Sequence, residues 1–234
     1  MASPLEHHHR DIQGGAARAA VFGISDGLTT NVSLILGIAG ASPTSGFVRL
    51  AGLAGLIAGS FSMAAGEYLS MRAQTELFEA ELDLERREID RRPESERREL
   101  VAIYRSRGVD RETAEKLATE MHRDPDLALE THAREELGIN PESLGSPIQA
   151  AISSFLAFAV GALVPLVPWF FGRGDGAVLA SVIIGAVAAV VVGAALSRFT
   201  RRPALLSAAR QLAVVAAAAA LTYGVGKALG TSVT

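Results

Sequence analysis

Five long apolar stretches constrain this chain more than any other feature. A helix that crosses a bilayer needs about 20 mainly apolar residues. Stretches of that length run from Ala16 to Ala39, Val48 to Met71, Pro147 to Phe171, Ala177 to Phe199 and Ala204 to Leu229. The expected fold is all-α: a polytopic membrane protein with five transmembrane helices and one soluble helical insert. The first stretch holds Asp26 and Asn31 and no clean processing site, so it is read as a span and not as a cleavable signal peptide.

Charge draws the insert. Between Arg72 and Glu142 lie 20 of the 25 acids but only 13 of the 22 bases, so 13 minus 20 leaves this segment at −7. The predicted division is a cytoplasmic N-terminal tail (1–15), spans one and two (16–71), a cytoplasmic metal-binding insert (72–146) and spans three to five (147–234). Cysteine is absent, which excludes disulfides and thiolate sites. Metal ligands must then be carboxylate, imidazole, thioether or backbone oxygen. No nucleophile, base and orienter set stands out, and no nucleotide-binding glycine loop, so an enzyme is not expected. Nor is a nucleic-acid partner.

Basic residues set the orientation. Arg10 and Arg18 precede span one, and Arg198, Arg201, Arg202 and Arg210 surround the link between spans four and five. The positive-inside rule puts the N-terminus, the insert and that link in the cytoplasm. The links with Arg49 and with Arg173 and Asp175 then lie outside, as does the C-terminus with Lys227. Short tails and an alanine- and arginine-rich composition suit a bacterial cell membrane. The run His7-His8-His9 is read as native sequence with at most a weak metal role.

Within the insert the pattern is helical. Span two continues without a breaker to Pro93, so it should project as one long helix. A second helix should run from Pro93 to about Arg105, closed by Gly108. A third, capped by Asp110, should run from Arg111 to His122, and a fourth should open at Asp124-Pro125 and end near Gly138. Glu81, Glu85 and Glu88 share one helix face, as do Glu96 and Glu99, and His132 with Glu136. Carboxylates repeated on several helices can converge on divalent ions. The competing reading is a solvated face, with Arg86, Arg87, Arg91, Arg92, Arg97 and Arg98 neutralising the acids.

The spans carry their own polar groups. Asp26, Thr29 or Thr30, and Ser33 form a stripe on span one, and an ionisable group at such depth marks an ion or proton path. Ser60, Met63 and Glu67 share a face of span two. Met63 is either a thioether ligand or ordinary packing, and Glu67 lies toward the cytoplasmic rim. Gly55 with Gly59, and Gly185 with Ala189 and Gly193, read as close-packing faces. Pro165 and Pro168 should kink or end span three near Trp169, an interfacial anchor.

The stretches Gly23-Ile24-Ser25-Asp26-Gly27-Leu28-Thr29-Thr30-Asn31 and Ala58-Gly59-Ser60-Phe61-Ser62-Met63-Ala64-Ala65-Gly66-Glu67-Tyr68-Leu69, with the acidic helix that follows, carry a family likeness. From Arg10 onward the sequence resembles the vacuolar iron transporter family and its bacterial members. The resemblance implies a homodimer that exports Fe2+ from the cytosol in exchange for protons, along a path lined by spans one and two. It also implies that Asp26 and Met63 are the intramembrane metal ligands. The family's cytoplasmic metal-binding acids fall on Glu85, Glu88, Glu96, Glu99 and Glu136. Two positions depart. Gly55 stands where eukaryotic members have a second membrane glutamate, and Glu67, lower on the same helix, is the candidate to take over its function. His132 and Ala133 stand where the family presents methionines, which brings Mn2+ forward as a second cargo beside Fe2+; carboxylates also admit Co2+ and Zn2+. The rival expectation is a membrane-anchored metal sensor or buffer that transports nothing.

Overall fold

A computed structural model describes residues 15–41, 44–138, 140 and 145–230. The run His7 to His9 and most of the expected N-terminal tail lie outside the described residues. Among the described residues there are nine helices and no strand: α1 (Gly15–Ala41), α2 (Ser45–Arg91), α3 (Pro93–Ser106), α4 (Arg111–Met121), α5 (Pro125–Glu135), α6 (Pro147–Leu166), α7 (Pro168–Phe171), α8 (Gly174–Thr200) and α9 (Ala204–Gly230). Five of them, α1, α2, α6, α8 and α9, are long and apolar enough to cross a membrane. The fold is all-α, with the expected five candidate spans.

Helix α2 is 47 residues long, apolar at first and charged later. Nothing interrupts its backbone ladder until Pro93, which has no N–H to donate and starts α3 instead. The described residues fall into two compact units. One comprises Gly15–Leu69 and the chain from Ser146 onward, and the other the segment Ser70–Gly145.

In the first unit α1 is the central helix. Glycines let it approach its neighbours closely. A Cβ on Gly161 would strike the Ile24 carbonyl, and one on Gly27 the Phe158 carbonyl, so α1 and α6 touch backbone to backbone. Leu28, Val32 and Leu36 pack with Ala189 and Val215 on one side. Ile35 and Ala39 pack with Val48, Leu166, Trp169 and Ala177 on another. Asn31, fully buried, donates its amide to the Ala162 carbonyl. It therefore ties α1 to α6 and does not join the polar stripe. Three glycines of α2, Gly52, Gly55 and Gly59, face inward: Gly59 lies over the Phe158 ring, and Gly52 against Leu166 and Ile35.

Span three ends at its prolines, as expected, but Trp169 is placed differently. Helix α6 ends at Leu166, after which Pro168 opens the single turn α7. Trp169 is fully buried in the cluster with Ile35 and Val48 and is not an interfacial anchor. Beyond the break the indole packs among Ile35, Val48, Leu166 and Ala177, inside the unit. Helix α2 is the least covered of the five spans. Only 17% of its apolar window is buried, against 39% for α1. Phe47, Leu50, Ile57, Phe61 and Leu69 are all exposed.

In the second unit the caps follow the sequence. Asp110 accepts from the Thr113 backbone N–H at 3.1 Å, and Asp124 from that of Asp126 at 2.9 Å. Gly108 and Gly138 take positive φ, +93° and +65°, which side chains with a Cβ rarely adopt. Much of what is buried here is small: Ala114, Ala118, Ala128 and Ala133 are fully buried, as is Leu100, and Ile89 is nearly so.

Candidate functional site

Two groups of polar residues stand out, one in each unit. In the second unit the chain brings Glu85 and Glu88 from α2, Glu96 from α3, His132 from α5 and Glu136 just beyond it into two overlapping clusters. Glu85, His132 and Glu136 form one, and Glu85, Glu88 and Glu96 the other. Within each, one potential ligand atom per residue lies within 4.8 Å of the others. Glu81 and Glu99 belong to neither cluster, and Glu99 is exposed.

His132 has no exposure and Glu85 only 4%. Nδ1 of His132 lies 3.1 Å from Glu136 Oε2 and 3.0 Å from Glu85 Oε1. The hydrogen-bond geometry goes to Glu136, so Nδ1–H donates there and the buried Glu85 Oε1 is left without a hydrogen bond. An unpaired buried carboxylate oxygen is costly unless protonated or bound to a cation. Accordingly, burial pushes the Glu85 carboxyl up to about 7; His132 pulls it back, while Glu136, Glu96 and Glu88 push it further. Burial also raises Glu96, with Glu99 and Glu88 adding to it.

The arginines do not neutralise this centre. Arg86 pairs with Asp126 at 3.3 Å and Arg97 with Glu94 at 3.1 Å. Among the described residues no lysine or arginine is within ion-pairing distance of Glu85, Glu88, Glu96 or Glu136. The solvated-face reading fits Glu81 and Glu99 but not the buried members. Chemically the clusters offer carboxylate oxygens and one imidazole nitrogen, a set suited to divalent transition metals.

His122, not singled out from the sequence, stands edge-on to His132 with ring centroids 5.3 Å apart. Its Nδ1 donates to the Ala118 carbonyl at 3.0 Å, which leaves Nε2 as a buried acceptor with no partner. Burial lowers its pKa, so it favours the neutral form. His122 closes α4 and His132 lies on α5, ten positions further on and across a turn, and no spacing rule links them.

In the first unit Arg18, Phe22, Ser25, Asp26 and Thr29 of α1, Met63 and Glu67 of α2, and Val214 of α9 line a cavity of about 350 Å³. A carboxylate, a thioether and a second carboxylate thus share one space. Thr30 does not line it, but its hydroxyl lies 3.4 Å from Asp26 Oδ1, toward which it donates. Ser33 lies outside; its hydroxyl is buried without a partner. Ser25 donates to Gln211 Oε1 at 3.0 Å, and Thr29 to the Ser25 carbonyl. Asp26 itself is exposed on the surface of this unit. Glu67 is not free: Arg18 Nη2 donates to its Oε1 at 2.9 Å. A Cβ on Gly55 would meet the end of Leu34 and lie 3.1 Å from Asn31 Oδ1. Twelve residues of helix separate Gly55 from Glu67, about 18 Å, so the two positions cannot serve one ion at once.

The VIT family profile matches residues 17–227. Vacuolar iron transporter 1 of Oryza sativa subsp. japonica is 34% identical, over 98% of this chain and 93% of its own length. A vacuolar iron transporter of Acanthamoeba castellanii is 37% identical, over 93% of this chain and 81% of its own. Vacuolar iron transporter 1 of Arabidopsis thaliana is 30% identical, over 95% of this chain and 90% of its own.

Proposed function

This chain belongs to the VIT family, and from that premise we propose that it carries Fe2+ across a membrane in exchange for protons. The single observation that carries this reading is the cavity in which Asp26, Met63 and Glu67 meet. Ionisable groups inside a span are costly and tend to mark ion or proton paths. Two carboxylates and a thioether suit a divalent transition metal better than Na+ or K+. The relatives named above are called vacuolar iron transporters, which favours Fe2+ as cargo, with Mn2+ as a second ion accepted by the same oxygens.

The insert faces the cytosol and captures the ion. Glu85, Glu88, Glu96 and Glu136 provide oxygens and His132 provides Nδ1. For the metal to take that nitrogen, the proton shared with Glu136 must leave, and any proton on Glu85 must leave as well. Binding is therefore a proton-for-metal exchange. The ion then moves to Asp26, Met63 and Glu67. Protons arriving from the far side compete for Asp26 and Glu67, weaken metal binding and release the ion.

A homodimer completes the membrane path. In one copy Asp26 lies exposed, and a carboxylate facing lipid is costly. The uncovered face of α2, with Phe47, Leu50, Ile57 and Phe61, offers the matching surface.

Proteoliposomes loaded with a metal indicator test the reading. Uptake of Fe2+, Mn2+, Co2+ and Zn2+ is measured with and without a pH gradient. The expected result is Fe2+ flux that rises with the gradient. Absence of flux for all four ions, with metal still bound by the protein, favours a membrane-anchored metal buffer instead.

A further inference from the structure

The ion pair between Arg18 and Glu67 has no part in capture or release as proposed above. Arg18 stands on the first turn of α1, and its guanidinium contacts Glu67 at 2.9 Å. Both line the cavity that holds Met63 and Asp26. The Glu67 side chain is 16% exposed and that of Arg18 is 56% exposed. A guanidinium is always charged, so a divalent ion on Glu67 and Arg18 in its present place repel one another. Half-exposed pairs are weak and exchangeable, unlike a buried pair locked in place. The Cα atoms of Arg18 and Asp26 are eight residues apart on α1, about 12 Å along its axis. Arg18 therefore holds the Glu67 end of the cavity, away from the carboxylate deeper in the span.

We propose that Arg18 is a positioning residue, the resident cation of Glu67. Without metal it holds the Glu67 carboxylate in the cavity. An arriving divalent ion displaces it, and it reclaims Glu67 once the ion has moved on toward Asp26. This role rests on the transport path proposed above and adds a competitor built into it.

The test uses the full chain in detergent, with Glu85, Glu88, Glu96 and Glu136 changed to glutamine to silence the insert. Mn2+ is the probe, read by loss of the free-ion resonance signal. Arg18→Gln is expected to tighten Mn2+ binding about threefold or more, the size of coupling usual for contacting charges. In a Glu67→Gln background the same change is expected to leave affinity within about twofold, since the contested carboxylate is gone. An unchanged affinity in R18Q overturns the proposal. So does an equal tightening in both backgrounds, because it assigns Arg18 only a through-space field. If R18Q does not fold, Arg18→Lys in both backgrounds carries the comparison, with a smaller shift in the same direction. No Mn2+ binding in the parent protein overturns the membrane metal site itself, and this role with it.

Discussion

At the residue scale the buried carboxylate Glu85 governs the insert. Its pKa of about 7 lies above the ordinary carboxylate value of 4.5. The folded state thus holds a proton that the unfolded state has already lost between those two values. The corresponding stability is fully present below about pH 4.5 and is lost as pH rises through 7. In metal-free protein Glu85→Gln, which mimics the protonated form, should therefore raise the melting temperature above wild type at pH 8 and have little effect at pH 5. Melting curves at the two pH values check this. Metal bound as proposed reverses the balance, because it needs the ionised form: between pH 7 and 6 affinity should fall by up to about tenfold for the one proton displaced at Glu85, a dependence that E85Q flattens. Titration against a competing chelator at several pH values measures it. How legible this site was differs by residue. Helical spacing put Glu85 and Glu88 on one face and paired His132 with Glu136. Burial separated Glu85 and Glu96 from Glu81 and Glu99, and no spacing encodes burial. His122 beside His132, and Arg18 on Glu67, arise from contacts between helices that are distant in sequence or separated by a turn.

At the scale of elements, length and apolarity revealed the five spans. Proline and glycine gave the ends of the helices that follow α2, and Asp110 and Asp124 gave their caps. The end of span three was less legible. Pro165 and Pro168 announced a break, but whether Trp169 then faced lipid or core depended on a space between α1, α2 and α8 that only packing defines. Glycine patterns had a similar limit. The pair Gly55 and Gly59 advertised close packing, yet the tightest backbone approaches lie elsewhere: Gly226 of α9 on the Gly37 carbonyl of α1, and Gly27 and Gly161 between α1 and α6. Gly161→Ala forces a methyl against the Ile24 carbonyl, which lies on backbone and cannot swing away. It should destabilise the protein by about 1–3 kcal/mol, the usual cost of overpacking. Gly176→Ala, at a position with nothing within 4 Å of the new methyl, should change stability by less than about 1 kcal/mol. Denaturation of the two variants in the same detergent compares them.

At the scale of the whole molecule, the proposed transporter operates as a pair. The chain contains no cysteine, so single cysteines report proximity without background. Phe61→Cys, on the uncovered face of α2, should cross-link to a covalent dimer in membranes. Leu179→Cys, exposed on α8, should not. Cross-linking from Leu179 alone contradicts the proposed α2 interface. The proposed movement of metal runs along α1 and α2, and Asp26 is the residue on which that proposal most depends. The most direct measurement is Fe2+ flux into proteoliposomes under a pH gradient, wild type against Asp26→Asn. The variant keeps the shape of the side chain and removes its charge. Flux is expected to fall to the level of empty vesicles while metal binding by the insert persists. Wild-type flux through Asp26→Asn contradicts the proposal.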